Sequence, residues 1–159
     1  MRIIGITGSF GKTSTKEFLA TILDSKYKVL KTWDSKNSPI GIAETVLANI
    51  RPEHDVFIVE MGAYKKGEIA EMTAMVKPQI GIITAINPQH QDLFGSLENT
   101  MQAKYELIVG LPRDGIAIFN GDNEKTREMS RWAIRDGKKV WFYTSGEEKL
   151  EDAVKVIQA

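Results

Sequence analysis

The sequence contains no cysteine. That absence excludes disulfides and thiolate metal sites, and it fits a reducing compartment. It also lacks an excess of either charge: 21 lysines and arginines balance 21 aspartates and glutamates. A broad basic footprint is therefore missing, and nucleic acid is not expected as a partner. No apolar run approaches membrane-spanning length, and the opening residues "MRIIGITG" lack the apolar stretch of a signal peptide. No membrane partner is expected, and the expected location is the cytoplasm. What remains is a chain of 159 residues, 42% of them hydrophobic, which suits one globular domain around a single core.

Short β-branched runs alternate with helical periodicity along the chain. "RIIGI", "KVLK", "DVFIVE", "QIGIITAI", "GIAIF" and "KVWFY" read as strands, with amphipathic segments between most of them. The alternation predicts βαβ units and a mostly parallel sheet covered by helices on both faces, an α/β fold with three αβα layers. In the first helix, Phe18, Leu19, Ile22 and Leu23 are expected to form the core-facing stripe; in the second, Ala43, Val46, Leu47 and Ile50. Ser38 is placed as N-cap of that second helix, with Pro39 at its first position. A final helix carrying Leu150, Val154 and Ile157 on one side is expected to end the chain. No internal repeat or low-complexity tract interrupts the pattern.

The stretch "GITGSFGKTSTKEFL" sets a glycine-rich loop between the first strand and the first helix. A helix N-terminus offers unpaired N–H groups and the positive end of the helix dipole, which favour an anion. Gly8 and Gly11 would let the backbone curl around a phosphate, with Ser9, Phe10 and Ser14 completing the loop. Lys12 would reach the β and γ phosphates of ATP, and the Thr13 hydroxyl would ligate Mg2+. The bland alternative is a tight turn that happens to contain Gly-Lys-Thr. The usual phosphate-loop template has a glycine where this chain has Ile6, so the pattern is Thr-Gly-x-x-Gly-Lys-Thr-Ser.

Ligands on doubly wound sheets sit beyond the carboxyl ends of the strands. Glu60 closes the apolar run "VFIVE", where it is either a magnesium ligand or simply the point at which the strand meets water. Asn87 and His90 follow "QIGIITAI"; His90 is a candidate metal ligand or positioning group, or else an ordinary surface histidine. Lys104 falls on the apolar face defined by Leu97, Met101 and Ile108, while Glu106 points away from it. Its amine either snorkels to the surface or is directed at a site, where desolvation lowers its pKa.

Taken together, "TGSFGKTSTKE", "VEMG", "INPQHQDLFGSLENTMQAKYELI" and "IFNGDNE" resemble the central ATPase domain of the Mur ligases and their relatives. The likeness is greatest to the type that adds D-alanyl-D-alanine to the muramoyl tripeptide. It runs from about Gly5 to Asn123 and rests on four motifs in order. The resemblance implies a P-loop NTPase-like fold and ATP-dependent joining of a carboxylate and an amine through an acyl phosphate, in synthesis of cell-wall peptidoglycan precursors. By position it implies that Lys12 and the loop backbone hold the phosphates, and that Thr13 and Glu60 hold one magnesium. His90 would serve a second magnesium, Lys104 would become a carbamate, and Asn120 would contact adenine, although "NGD" is also an ordinary turn signal.

The loop "TWDSKNSPIG" keeps only Asn37 of an asparagine-rich region in the muropeptide ligases, and "INPQH" replaces a longer Asn-Val-Gly-Pro-Ala-His type of segment. The family's N-terminal and C-terminal domains have no counterpart in residues 1–159. The expectation is therefore a single central domain, a fragment or one piece of a split ligase, with the missing ligase domains as partners in cis or trans. Folylpolyglutamate, cyanophycin and polyglutamate ligases are alternatives that change the acceptor. A non-catalytic nucleotide-binding module is a third reading.

Overall fold

The computed structural model describes residues 1–34, 36–87, 95–145 and 155–158. All six expected strands form: β1 (Arg2–Thr7), β2 (Val29–Lys31), β3 (Val56–Glu60), β4 (Ile80–Ile83), β5 (Ile116–Asn120) and β6 (Lys139–Thr144). Between them lie α1 (Lys12–Asp24), α2 (Pro39–Asn49), α3 (Glu68–Val76), α4 (Leu97–Val109) and α5 (Glu124–Arg135). A further strand, β7 (Lys155–Gln158), pairs in parallel with β6. The final helix expected here is thus corrected in part: Ile157 lies in a strand, whereas Leu150 and Val154 fall outside the described residues. The β-branched pair Val156–Ile157 suits an extended edge beside the already paired β6.

The strands are ordered β2-β3-β1-β4-β5-β6-β7, and every neighbouring pair is parallel. That order fixes where the helices go. With right-handed crossovers, connections that step in opposite directions along a sheet put their helices on opposite faces. Only the β1-to-β2 connection steps toward the β2 edge, so among the described residues α1 alone covers one face. The other four helices cover the opposite face. Phe57, Val59, Phe119 and Phe142 there meet Ile42, Ile69, Met72, Met101, Leu107 and Met129. Beneath α1, Ile4, Ile6, Val56, Ile58 and Ile82 pack with Ala20, Leu19 and Leu23. The three layers are present but unequal.

Two helices are rotated from the expected phase. In α1 the stripe keeps Leu19 and Leu23, but Phe18 and Ile22 are 70% and 67% exposed, and the buried line is Lys16 and Ala20. Burial of Lys16 against Glu60 turns the helix away from its most apolar edge. In α2 Ala43, Val46 and Ile50 are partly buried, yet Leu47 is exposed and Gly41, Ile42 and Thr45 face inward. Gly41 allows that phase, because a Cβ there would stand 3.0 Å from the Lys36 backbone. The α2 start is as expected, with Ser38 accepting from the Gly41 N–H and Pro39 in the first turn.

Candidate functional site

The β1–α1 loop lies where the crossover connections diverge, because β1 leads to a helix on one face and its neighbour β4 to a helix on the other. This is the place where doubly wound sheets open a crevice for ligands. Gly8 has φ 151° and Gly11 φ 74°, backbone that a side chain would strain. A Cβ on Gly8 would also stand 2.1 Å from Thr84 Oγ1. The loop is fastened to the end of β4: the Ser9 N–H donates to the Ala85 carbonyl at 2.6 Å, and the Thr84 hydroxyl donates to the Phe10 carbonyl. The Asn87 N–H donates to Ser9 Oγ at 3.3 Å. Gly11 caps α1 with no side-chain bond to the first-turn N–H groups, and no acidic residue lies in that turn. The helix end therefore keeps the polarity that suits an anion. Phe10 and Ser14 are exposed at its rim.

Lys12 folds back over this loop, its ammonium donating to the Gly8 carbonyl at 2.9 Å and the Ser9 carbonyl at 3.5 Å. Burial holds its pKa below the ordinary lysine value, against the opposing pull of Glu60. Thr13, one residue on, directs its hydroxyl to Glu60 Oε2 at 3.0 Å.

Glu60 ends β3 inside the molecule, 2% exposed, and does not mark an emergence into water. Thr13 donates to its Oε2 and the Asn37 amide to its Oε1 at 3.0 Å. The Lys16 ammonium stands 3.4 Å from Oε2. Among the described residues no three His, Cys, Asp or Glu side chains converge as a metal cage. A hydroxyl and one carboxylate that meet beside a glycine-rich helix N-terminus are nevertheless a fitting donor set for Mg2+. That ion takes oxygen ligands and relies on one or two carboxylates plus phosphates and water.

Lys104 is buried, 5% exposed, on the core-facing side of α4 among Met101, Ala103 and Leu107. It does not snorkel. Burial and, second, the charge of Lys12 push its pKa down to about 8. The Lys12 and Lys104 amines are thus near enough for their charges to repel. Asn120 ends β5, two strands from β1, and its side-chain oxygen accepts from the Asp122 N–H at 2.9 Å. Asn123 caps α5 and ties that turn to the segment after β4, donating to the Ile86 carbonyl at 3.2 Å. His90 lies outside the described residues.

Two participants escape the sequence reading. Lys16 is fully buried against Glu60, and the only hint of it was its spacing, three and four residues past Thr13 and Lys12 on the same helix. Asn37, noted only as a remnant of an asparagine-rich loop, proves to be a donor to Glu60. Glu106 does turn away from the core, where it accepts the Gly67 and Ala70 N–H groups at the start of α3.

Known proteins place this architecture. The sequence matches the Mur ligase middle domain over residues 6–159. UDP-N-acetylmuramoyl-tripeptide--D-alanyl-D-alanine ligase of Escherichia coli K12 is 37% identical over 144 residues, which cover 90% of this chain and 31% of that protein. The ligase of the same name from Bacillus subtilis 168 is 42% identical over 122 residues, 76% of this chain and 26% of that protein. A crystal structure of MurF from Acinetobacter baumannii superposes with a TM-score of 0.83 at 31% identity, covering 91% of this chain and 31% of that one. MurF of Thermotoga maritima in complex with ADP gives a TM-score of 0.82 at 27% identity, covering 91% and 33%. The chain thus spans about a third of the length of the relatives it matches. A match over nearly every residue, on the fold and loop described above, means that this chain belongs to the Mur ligase middle-domain family.

Proposed function

We propose that this chain is the ATP- and magnesium-binding part of an amide ligase that builds peptidoglycan precursors. The observation that carries the proposal is the meeting of the Gly8–Thr13 loop with the Glu60 carboxylate, where Thr13 Oγ1 and Glu60 Oε2 lie 3.0 Å apart. Lys12 and the first-turn N–H groups of α1 would take the phosphates, with Lys12 exchanging the Gly8 carbonyl for a charged acceptor. Thr13 and Glu60 would hold Mg2+, which when bound screens phosphate charge and polarises the phosphoryl group. Asn120, at the carboxyl end of β5, would meet the base. The place of His90 at a second magnesium rests on the family resemblance alone.

In the reaction, a substrate carboxylate oxygen would take the terminal phosphoryl group from ATP, and ADP would leave. A neutral amine would then attack the acyl carbon, expel phosphate and release a proton, forming the amide. Lys104, with its pKa near 8, would hold a usable fraction of neutral amine at physiological pH. That amine could add to carbon dioxide and release a proton, converting a buried cation into an anionic oxygen donor. The names of relatives at 37% and 42% identity favour a muramoyl peptide and D-alanyl-D-alanine over a folate or polyglutamate acceptor. The remaining ligase domains, in cis or in trans, would supply the acyl and amine ends, so these 159 residues alone are expected to bind ATP with negligible turnover. Calorimetric titration with ATP and magnesium tests the reading. Wild type should bind and Lys12→Ala should bind at least about tenfold more weakly, the loss of one charge-assisted contact. Equal affinity would reduce the loop to a turn.

A further inference from the structure

Lys16 has no part in that scheme, yet it is the most completely buried cation near the site. Its side chain is 0% exposed and its ammonium is set among three acceptors: Glu60 Oε2 at 3.4 Å, Glu17 Oε1 at 3.5 Å and the Asp34 carbonyl at 3.2 Å. Glu17 is shared with Lys31, so the charges form a chain from Lys31 through Glu17 and Lys16 to Glu60. The oxygen that Lys16 approaches is the same one that Thr13 approaches, Oε2. A buried carboxylate without such a neighbour would be strongly unfavourable. Lys16 therefore already occupies the electrostatic position that a divalent cation would need.

We propose that Lys16 is a positioning residue that makes the Glu60 site accept a divalent cation only together with a polyphosphate. The inference rests on the reading of Glu60 as a metal ligand. A bare divalent cation arriving at Oε2 meets the fixed charge of Lys16, with Lys12 close by, and must weaken an ion pair that is already made. A cation arriving on a nucleotide brings several negative charges, which offset the same repulsion. Lys16 thus holds Glu60 in place while the site is empty of metal and keeps stray cations from loading it. Glu17 and the Asp34 carbonyl remain as partners for Lys16 once Glu60 turns to the metal.

The test uses manganese(II), an oxygen-seeking stand-in for magnesium whose free ion is counted by electron paramagnetic resonance. Wild type, Lys16→Met and Glu60→Gln of the full chain are titrated with manganese alone and with manganese plus ADP. Lys16→Met should bind manganese alone about tenfold more tightly than wild type, a modest share of the repulsion between charges a few ångströms apart. Its gain with ADP should be smaller, so that the ratio of the two affinities falls. The same variant should melt at a lower temperature without metal and be stabilised more by manganese than wild type is. A merely structural lysine would lower both metal affinities along with stability. If Lys16→Met does not fold, Lys16→Gln, which also removes the charge, carries the same expectation. No gain for free manganese, while Glu60→Gln still weakens the ADP-bound ion, overturns the role of Lys16 alone. If Glu60→Gln leaves manganese binding unchanged in both conditions, the metal reading of Glu60 falls, and this inference with it.

Discussion

Replacing Lys104 by methionine should stabilise the folded chain at neutral pH, although it removes a residue that the proposed function needs. Lys104 is 5% exposed, and its pKa drops from 10.5 to about 8, chiefly through burial. A folded-state pKa below the unfolded one means that the unfolded chain binds more protons between those two values, so stability rises with pH across that window. Below about pH 8 the full penalty applies, and two and a half pH units correspond to roughly 3 kcal/mol. Methionine fills nearly the same volume without the charge, so Lys104→Met should gain about 1–3 kcal/mol at pH 7, with lost polar contacts subtracting from the upper figure. By about pH 9.5 wild type should have recovered some 2 kcal/mol of that difference through loss of the proton. The titrating groups not coupled to Lys104 are common to both proteins and cancel in the comparison, whereas Lys12, whose charge acts on Lys104, loses that repulsion in the variant and adds to its gain. Urea unfolding at several values between pH 7 and pH 9.5 reads the gap directly. A gap that stays constant with pH, or a methionine variant less stable throughout, would refute the argument that Lys104 is a desolvated cation.

The other expectations concern the loop and the helix beside it. Gly8→Ala combines a left-handed-region φ of 151° with a Cβ 2.1 Å from Thr84 Oγ1. Strain and the displaced Thr84 hydrogen bonds should together cost about 3 kcal/mol, and a calorimetric scan should find melting lower by about 6–12 °C for a domain of this size. Thr84→Ala in the same chain should restore part of the loss, and no recovery would mean that the clash is not the cause. Glu106→Ala removes two acceptors from the N-terminus of α3, whose own cap, Gly67, offers no side chain. It should cost about 1–2 kcal/mol in denaturant unfolding and speed hydrogen exchange at Gly67 and Ala70 before the sheet; exchange unchanged at those two amides would count against the cap.

The six main strands were legible because parallel strands buried on both faces read as continuous β-branched runs, as "VFIVE" does. The glycine-rich turn between β1 and α1 was legible because its residues are consecutive. What the sequence hid depends on side chains meeting across elements. Periodicity ranks residues by polarity, so it assigned the inner face of α1 to Phe18 and Ile22 and gave Lys16 no weight, although a cation paired with Glu60 occupies that face. The exposure of Leu47 has the same origin: close approach of Gly41 to Lys36, not apolarity, sets the phase of α2. Lys104 went the other way, since its place on an apolar face of α4 was visible from spacing alone and its burial follows. At the chain end, Ile157 fitted a helical spacing with Leu150 and Val154, but four residues beside an existing edge strand are enough to pair as β7.

The central claim is that Glu60 and the Gly8–Thr13 loop form one nucleotide–metal site. Glu60→Gln keeps the shape of the side chain and removes the charge from a carboxylate that lies 3.0 Å from Thr13 Oγ1. Calorimetric titration of ATP into wild type and Glu60→Gln, each with magnesium and with chelator, measures that claim most directly. The account predicts that magnesium tightens ATP binding to wild type by at least about tenfold, and that Glu60→Gln loses most of this gain while its affinity in chelator changes little. Equal losses in the two conditions, or a gain from magnesium that survives Glu60→Gln, would contradict it.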